Sequence, residues 1–152
     1  MPVEVGSQAP DFSLPNQDRE TVSLADFRGK KAVLLVFYPF AFSGVCTGEF
    51  TQARDDIAEF QNDDVQLVAV STDPVPAIKA WVDQEGYTFP LLSDFWPHGA
   101  TAESYGVFFT DAGFALRGTF LIDRDGVVRF AETNGPGDAR DQQAWKDAVK
   151  QL

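Results

Sequence analysis

Apolar positions along this chain change their period several times, and each change marks an element. Ala32 to Tyr38 is an unbroken apolar run of β-formers, and Val65 to Ser71 nearly repeats it, the pattern of strands covered on both faces of a sheet. Between them Cys46, Phe50, Ala53, Ile57 and Phe60 recur at steps of four, three, four and three, which predicts one amphipathic helix with Cys46 in the first turn of its core-facing stripe. Strand, helix and strand make a βαβ unit, with parallel strands and a right-handed crossover. After Asp73-Pro74 the spacing of Ile78, Trp81, Val82 and Glu85 predicts a second helix, closed by a left-handed cap at Gly86, and a short helix follows Pro97. Ala115 to Asp123 and Val127 to Ala131 flank Asp125-Gly126 as an antiparallel hairpin. A last helix is predicted from an N-cap at about Asp138, with Trp145, Ala148, Val149 and Leu152 on one face. Asp11 to Leu14 and Glu20 to Leu24 form a small hairpin before all of these. The sum is an α/β chain of thioredoxin-like order: a central mixed sheet, parallel in the middle and antiparallel at one side, helices on both faces, and an N-terminal β-hairpin extension.

Composition narrows the class. With 152 residues, 44% of them apolar, the chain supports one core, so residues 1–152 are read as a single domain. Twelve basic against 23 acidic residues give a net charge of −11, which opposes attraction to nucleic acid or anionic membranes. The acids are dispersed rather than gathered into a tail. The start Met1-Pro2-Val3-Glu4 lacks the basic and apolar pattern of a secretory signal, and the longest apolar run is too short to cross a bilayer. One cysteine cannot form an internal disulfide, so a reducing, cytoplasmic home is expected.

That cysteine carries the candidate chemistry. Cys46 sits at a strand-to-helix junction, where unpaired N–H groups and the helix dipole favour a thiolate, and it is expected to be reachable by a small oxidant. Ser43 precedes it by three residues and can hydrogen-bond both sulfur and a bound oxygen, while Pro39 offers no N–H and walls off water. Duller readings exist for both, since Pro39 can end a strand and Ser43 can cap a helix. His98 is the only histidine and lies in a Pro-Gly turn, a poor base for a Cys-His dyad. No metal-ligand spacing, phosphate-binding glycine loop or cofactor motif is present; Asp123-Arg124-Asp125-Gly126 lacks the remaining ligands of a calcium loop.

Pro39-x-x-x-Ser43-x-x-Cys46 resembles the signature of the peroxiredoxins, and the likeness extends over nearly the whole chain. It includes Ala9-Pro10-Asp11-Phe12-Ser13-Leu14, Phe89-Pro90-Leu91-Leu92-Ser93-Asp94, Tyr105-Gly106-Val107 and the segment Arg117 to Asp123. Ser93 to Ala100 and the lack of a second cysteine are most similar to one-cysteine members. The resemblance implies a thiol-dependent peroxidase acting on hydrogen peroxide and organic hydroperoxides. In it Cys46 attacks, Arg117 stabilises the thiolate and the polarised peroxide, and Glu49 steers that arginine. The duller alternatives are a surface strand residue in an ordinary ion pair for Arg117 and a helix-dipole partner for Glu49. Ionisation alone raises the rate of an ordinary thiol by no more than roughly thirty-fold, so donors aimed at the peroxide oxygens must supply the rest.

Attack on peroxide leaves a sulfenic acid that a second thiol must resolve. Where some relatives carry that thiol five positions on, this chain has Thr51, and Glu49 rules out Cys-x-x-Cys. An external reductant is therefore expected: a low-molecular-weight thiol, a mycoredoxin-like or glutaredoxin-like protein, or thioredoxin. Fourteen phenylalanines, among them Phe40, Phe42, Phe108, Phe109 and Phe114 near the expected site, exceed what so small a core needs, so some are expected to be exposed and to serve a dimer interface or an apolar hydroperoxide; the resemblance favours the interface, in a homodimer or larger homo-oligomer. The rival readings are a redox sensor or holdase using the same thiol once, and a structural domain with an inert cysteine.

Overall fold

The computed structural model describes residues 1–135 and 137–152. A short antiparallel ribbon, β1 (Ser13–Pro15) with β2 (Thr21–Ser23), precedes the main sheet. Then come β3 (Ala32–Phe37), α1 (Gly44–Asp55), β4 (Val65–Ser71), α2 (Val75–Glu85), β5 (Leu91–Ser93) and α3 (Ala100–Ser104). The chain ends with β6 (Phe108–Phe109), β7 (Phe114–Ala115), β8 (Arg117–Ile122), β9 (Val128–Asn134) and α4 (Gln142–Lys150).

The main sheet has the order β5-β4-β3-β8-β9. β3 runs parallel to β4 and β4 to β5, whereas β8 is antiparallel to both β3 and β9. The parallel strands thus occupy one side of the sheet rather than its middle, because the β8–β9 hairpin adds to β3 and makes β3 the seam. Every residue of β3 is buried, and its side chains alternate between two cores. Leu34, Val36 and Tyr38 face the core built with Phe50 and Ala53 of α1, Ile78, Trp81 and Val82 of α2, and Trp145 of α4. Val33, Leu35 and Phe37 face a second core closed by Phe12, Leu14, Leu24, Ala102 of α3, Tyr105 and Phe120. Three helices therefore cover one face, and the short α3 with the N-terminal ribbon covers the other.

β3 and β4 match their predicted runs to within a residue, and α2 ends at Gly86 in the left-handed conformation (φ 71°), as its sequence implied. Four expectations need correction. The stripe from Cys46 to Phe60 is not one helix: α1 stops at Asp55, Asp56 leaves helical geometry (φ −104°, ψ 21°), and a 3₁₀ turn at Ile57–Glu59 carries the chain to Phe60. The predicted strand from Ala115 splits, since Ala115 pairs with Phe108 whereas Arg117 onward joins β9. The last helix is capped by Asp141, whose carboxylate accepts the Gln143 N–H at 3.0 Å, and not by Asp138. Leu152 lies beyond that helix and is exposed, so it is not part of the packed face. At the β8–β9 turn the Gly126 N–H donates to the Asp123 carbonyl and Gly126 takes a positive φ of 82°, which only glycine adopts without strain. Among the described residues no helix is long and apolar enough to cross a membrane, and no cluster of three metal-ligating side chains occurs.

Candidate active site

The carboxyl ends of β3 and β4 lead into the segment 39–43 and the β4–α2 turn, the edge at which open α/β sheets hold their sites. Asp73 organises this edge. Its Oδ2 accepts the Ala41 N–H at 2.8 Å and the Ser71 hydroxyl at 2.7 Å, and its carbonyl accepts the Ser93 hydroxyl at 2.6 Å. The segment 39–43 is thereby tied to β4 and β5. Pro39 is buried, while Phe40 and Phe42 on either side of Ala41 are about half exposed. Phe42 has a φ of 67°, a conformation that costs an L-residue roughly 1–2 kcal/mol.

Ser43 stands at the N-cap of α1, and its carbonyl accepts the Thr47 N–H at 2.9 Å. Its hydroxyl caps nothing: the Oγ is buried and has no partner among the described residues. The capping explanation for this serine therefore fails. Cys46 is the third residue of the helix, so the N–H groups of Gly44, Val45 and Cys46 all lie in the turn that has no intrahelical acceptor. Its thiol is completely buried against the Tyr38, Phe50 and Trp81 side of the core. This differs from the expectation of a reachable sulfur, because Cys46 lies on the core-facing side of α1, within the core that α1 and α2 build against β3.

Glu49 follows one turn after Cys46 on the same helical face, and it too is buried. Its Oε1 accepts Arg117 Nη1 at 2.6 Å, across 68 residues of sequence. Arg117 is a fully covered residue of β8, not a surface one. The other oxygen, Oε2, accepts two donors from Arg140: the backbone N–H at 2.7 Å and Nε at 3.2 Å. Arg140 Nη1 reaches the Gly118 carbonyl and Thr119 Oγ1, both at 3.1 Å, and Nη2 reaches the Phe37 carbonyl. Gln142 Nε2 donates to the Glu49 carbonyl at 2.7 Å. Burial pushes the Arg140 guanidinium down to about 10, with Glu49 and Cys46 holding it up and Arg117 adding to the depression. At neutral pH it keeps its charge.

The structure thus brings Pro39, Ser43, Cys46 and Glu49 together by chain adjacency and joins Arg117 to them through Glu49. Sequence reasoning missed Arg140 and Gln142. No periodicity or cap in the sequence marks Arg140, which lies immediately before the Asp141 N-cap of α4 and gives its N–H to Glu49. His98 is structural, its two ring nitrogens lying 3.1 Å from the Phe95 carbonyl and 2.8 Å from the Gly113 carbonyl. An open cleft of about 900 Å³ lies at the opposite end of the sheet, near Ala32 and Leu152, away from all of these groups.

Residues 5–131 match the family model described as the AhpC/TSA family. The chain is 54% identical over 150 residues to alkyl hydroperoxide reductase E of Mycobacterium tuberculosis, covering 99% of this chain and 98% of that protein. Among solved structures, reduced 2-Cys peroxiredoxin from Plasmodium vivax superposes with a TM-score of 0.87 at 30% identity, covering 98% of this chain and 81% of that one. Peroxidoxin BcpB from Mycobacterium tuberculosis gives 0.85 at 29% identity, with 97% of both chains covered.

Proposed function

Because the chain belongs to the AhpC/TSA family of peroxiredoxins, as a thiol-dependent peroxidase with one cysteine, we propose that its peroxide reduction runs through Cys46 with Ser43, Arg117, Pro39 and Glu49 in support. The observation that carries this assignment is the bond from Arg117 to Glu49, which ties a distant strand to the first turns of the cysteine's own helix.

The thiolate of Cys46 attacks one peroxide oxygen along the O–O axis. The S–O bond forms as the O–O bond breaks, and the electron pair leaves on the second oxygen, which takes a proton and departs as water or an alcohol. Free N–H groups at the start of α1 and the unpartnered Ser43 hydroxyl are the donors available to the oxygens as charge develops. A buried hydroxyl without a partner costs roughly 1–3 kcal/mol, so a hydroxyl kept in that state suits a ligand that completes it. Arg117 contributes a fixed charge, Glu49 its orientation, and Pro39 a wall without an N–H. Peroxide reaches the buried sulfur when the segment 39–43 lifts, a motion to which the strain at Phe42 contributes.

Cys46 is left as a sulfenic acid. A first external thiol condenses with it, releasing water and forming a mixed disulfide; a second attacks that disulfide and returns the Cys46 thiolate. A low-molecular-weight thiol, a mycoredoxin-like or glutaredoxin-like protein, or thioredoxin fits this requirement, in the cytoplasm. The exposed Phe40, Phe42, Phe95, Trp96 and Phe109 support a homodimer formed through the site side of the molecule. Mass spectrometry after one equivalent of peroxide should find one oxygen on Cys46, then an adduct with each competent thiol. Cys46→Ser should consume no peroxide; turnover persisting in that variant overturns the assignment, and a single oxidation without turnover in the wild type favours a sensor.

A further inference from the structure

The segment 39–43 joins β3 to α1, and Ala41 packs against the core that contains Cys46. Its backbone has few ties. Just before it the Tyr38 N–H donates to the Val70 carbonyl at 3.0 Å, Pro39 has no N–H to give, and the Ser43 N–H reaches the Phe40 carbonyl only at 3.5 Å. Two ring contacts, Phe40 with Phe114 at 5.1 Å and Phe42 with Trp81 at 6.3 Å between centroids, hold side chains rather than backbone. The short, directed bond is the one from the Ala41 N–H to Asp73 Oδ2 at 2.8 Å, across 32 residues of sequence.

Asp73 stands immediately before Pro74, a place where an aspartate ordinarily caps the helix that follows. It does not do so here. The N-cap of α2 is Pro74, and among the described residues the Asp73 carboxylate accepts from Ala41 and Ser71 rather than from α2. Asp73 is itself fixed: the Ser71 hydroxyl donates to its Oδ2 at 2.7 Å, its N–H donates to Ser71 Oγ at 3.3 Å, and its carbonyl accepts the Ser93 hydroxyl at 2.6 Å. A charged acceptor makes a hydrogen bond roughly twice as strong as a neutral one. An anchor seated on β4 and β5 therefore grips the one N–H between the half-exposed Phe40 and Phe42, next to the residue held at a φ of 67° and two residues before the unpartnered Ser43 hydroxyl. We propose that Asp73 is a positioning residue of the site: by latching Ala41 it keeps Ser43 and the start of α1 aligned at Cys46, and it sets how often the segment 39–43 lifts. This rests on the reading of Cys46 as the reacting group.

Such a latch moves two reactions of the same sulfur in opposite directions. Hydrogen peroxide needs the Ser43 hydroxyl in place, whereas iodoacetamide needs only an uncovered thiolate. Asp73→Ala removes the acceptor, and Asp73→Asn keeps an oxygen without the charge. Both rates are read on the high-pH plateau of each protein's profile, where losing a nearby negative charge no longer changes the thiolate fraction, and at a temperature where melting curves show the variant folded. In Asp73→Ala the alkylation rate should rise about tenfold and the peroxide rate constant should fall about tenfold. Asp73→Asn should recover most of both, shifting each by about threefold or less in the same opposite senses. An aspartate that merely supports the fold would lower the melting temperature and leave the plateau rates in place or shift them in parallel; either result in a folded Asp73→Ala overturns the proposal. Should Asp73→Ala not fold, Asp73→Asn decides: faster alkylation with slower peroxide reduction supports the latch, and unchanged or parallel rates overturn it. Failure of the underlying reading is a different result, a wild-type protein whose peroxide consumption survives alkylation of Cys46.

Discussion

Glu49→Gln is the sharpest perturbation of the site, because it changes one atom and one charge while leaving the side-chain volume intact. The carboxylate accepts three hydrogen bonds, one on Oε1 at 2.6 Å and two on Oε2 at 2.7 and 3.2 Å. A glutamine amide keeps one oxygen, so it serves either Arg117 or Arg140 and turns its own NH₂ against the donors of the other. Removing one partner from a buried ion pair costs about 3–5 kcal/mol. Counting bonds gives the same range, since losing one or two hydrogen bonds to charged groups at about 1.5–3 kcal/mol each removes a similar amount. A domain of this size has a total stability of roughly 5–15 kcal/mol, so the variant should fold with little to spare. Its melting temperature should fall by roughly 6–20 °C at about 2–4 °C per kcal/mol. Urea titration and calorimetry measure that loss. Stopped-flow consumption of peroxide at 15 °C, where the variant is folded, should show a fall of roughly ten- to a hundred-fold, because the Arg117 guanidinium loses its anchor. A melting temperature within 2 °C of wild type would refute the energetic argument, and a full rate in a destabilised variant would refute the orienting role.

Phe42→Gly and Phe42→Ala delete the same ring, and their order reports the backbone. Glycine is ordinarily the less stable of the two, yet at a φ of 67° it should be the more stable by about 1 kcal/mol in urea unfolding; alanine on top would show that Phe42 does not hold this conformation in solution. For pH dependence, Asp123 is the group to follow. Burial pushes its carboxyl up, but the Val127 N–H, Arg129 and the Asp125 N–H outweigh it and leave it below the usual carboxylate range. A depressed carboxyl contributes stability that is present above its unfolded value and lost as pH falls through the folded one. The stability gap between wild type and Asp123→Asn should therefore be constant from pH 5 to 8 and narrow progressively as pH falls below about 4; a gap undiminished at the lowest pH at which both proteins stay folded would exclude the linkage.

What could be read ahead of the structure follows how far along the chain each determinant lies. β3 and β4 are apolar on both faces, so composition alone marks them, and Gly86 declares its own left-handed cap. Pro39, Ser43, Cys46 and Glu49 fall within eleven consecutive residues, so their grouping is local and legible. Boundaries fail where two residues compete for one role: Asp138 and Asp141 can each cap the last helix, and the structure uses Asp141, next to the Arg140 that docks against Glu49, 91 residues away. The break after α1 has a similar origin, since Asp56 leaves the helix and pairs with Lys146 of α4 at 3.0 Å. Arg117 was visible only through resemblance, and Arg140 not at all, because nothing in the periodicity of a strand or a loop says that a guanidinium will be buried. Both are held inside by one glutamate on the cysteine's helix. The sequence-distant half of the site is thus organised by a residue of its local half, which is why the loss of the Glu49 charge should disturb arginines from two different elements at once.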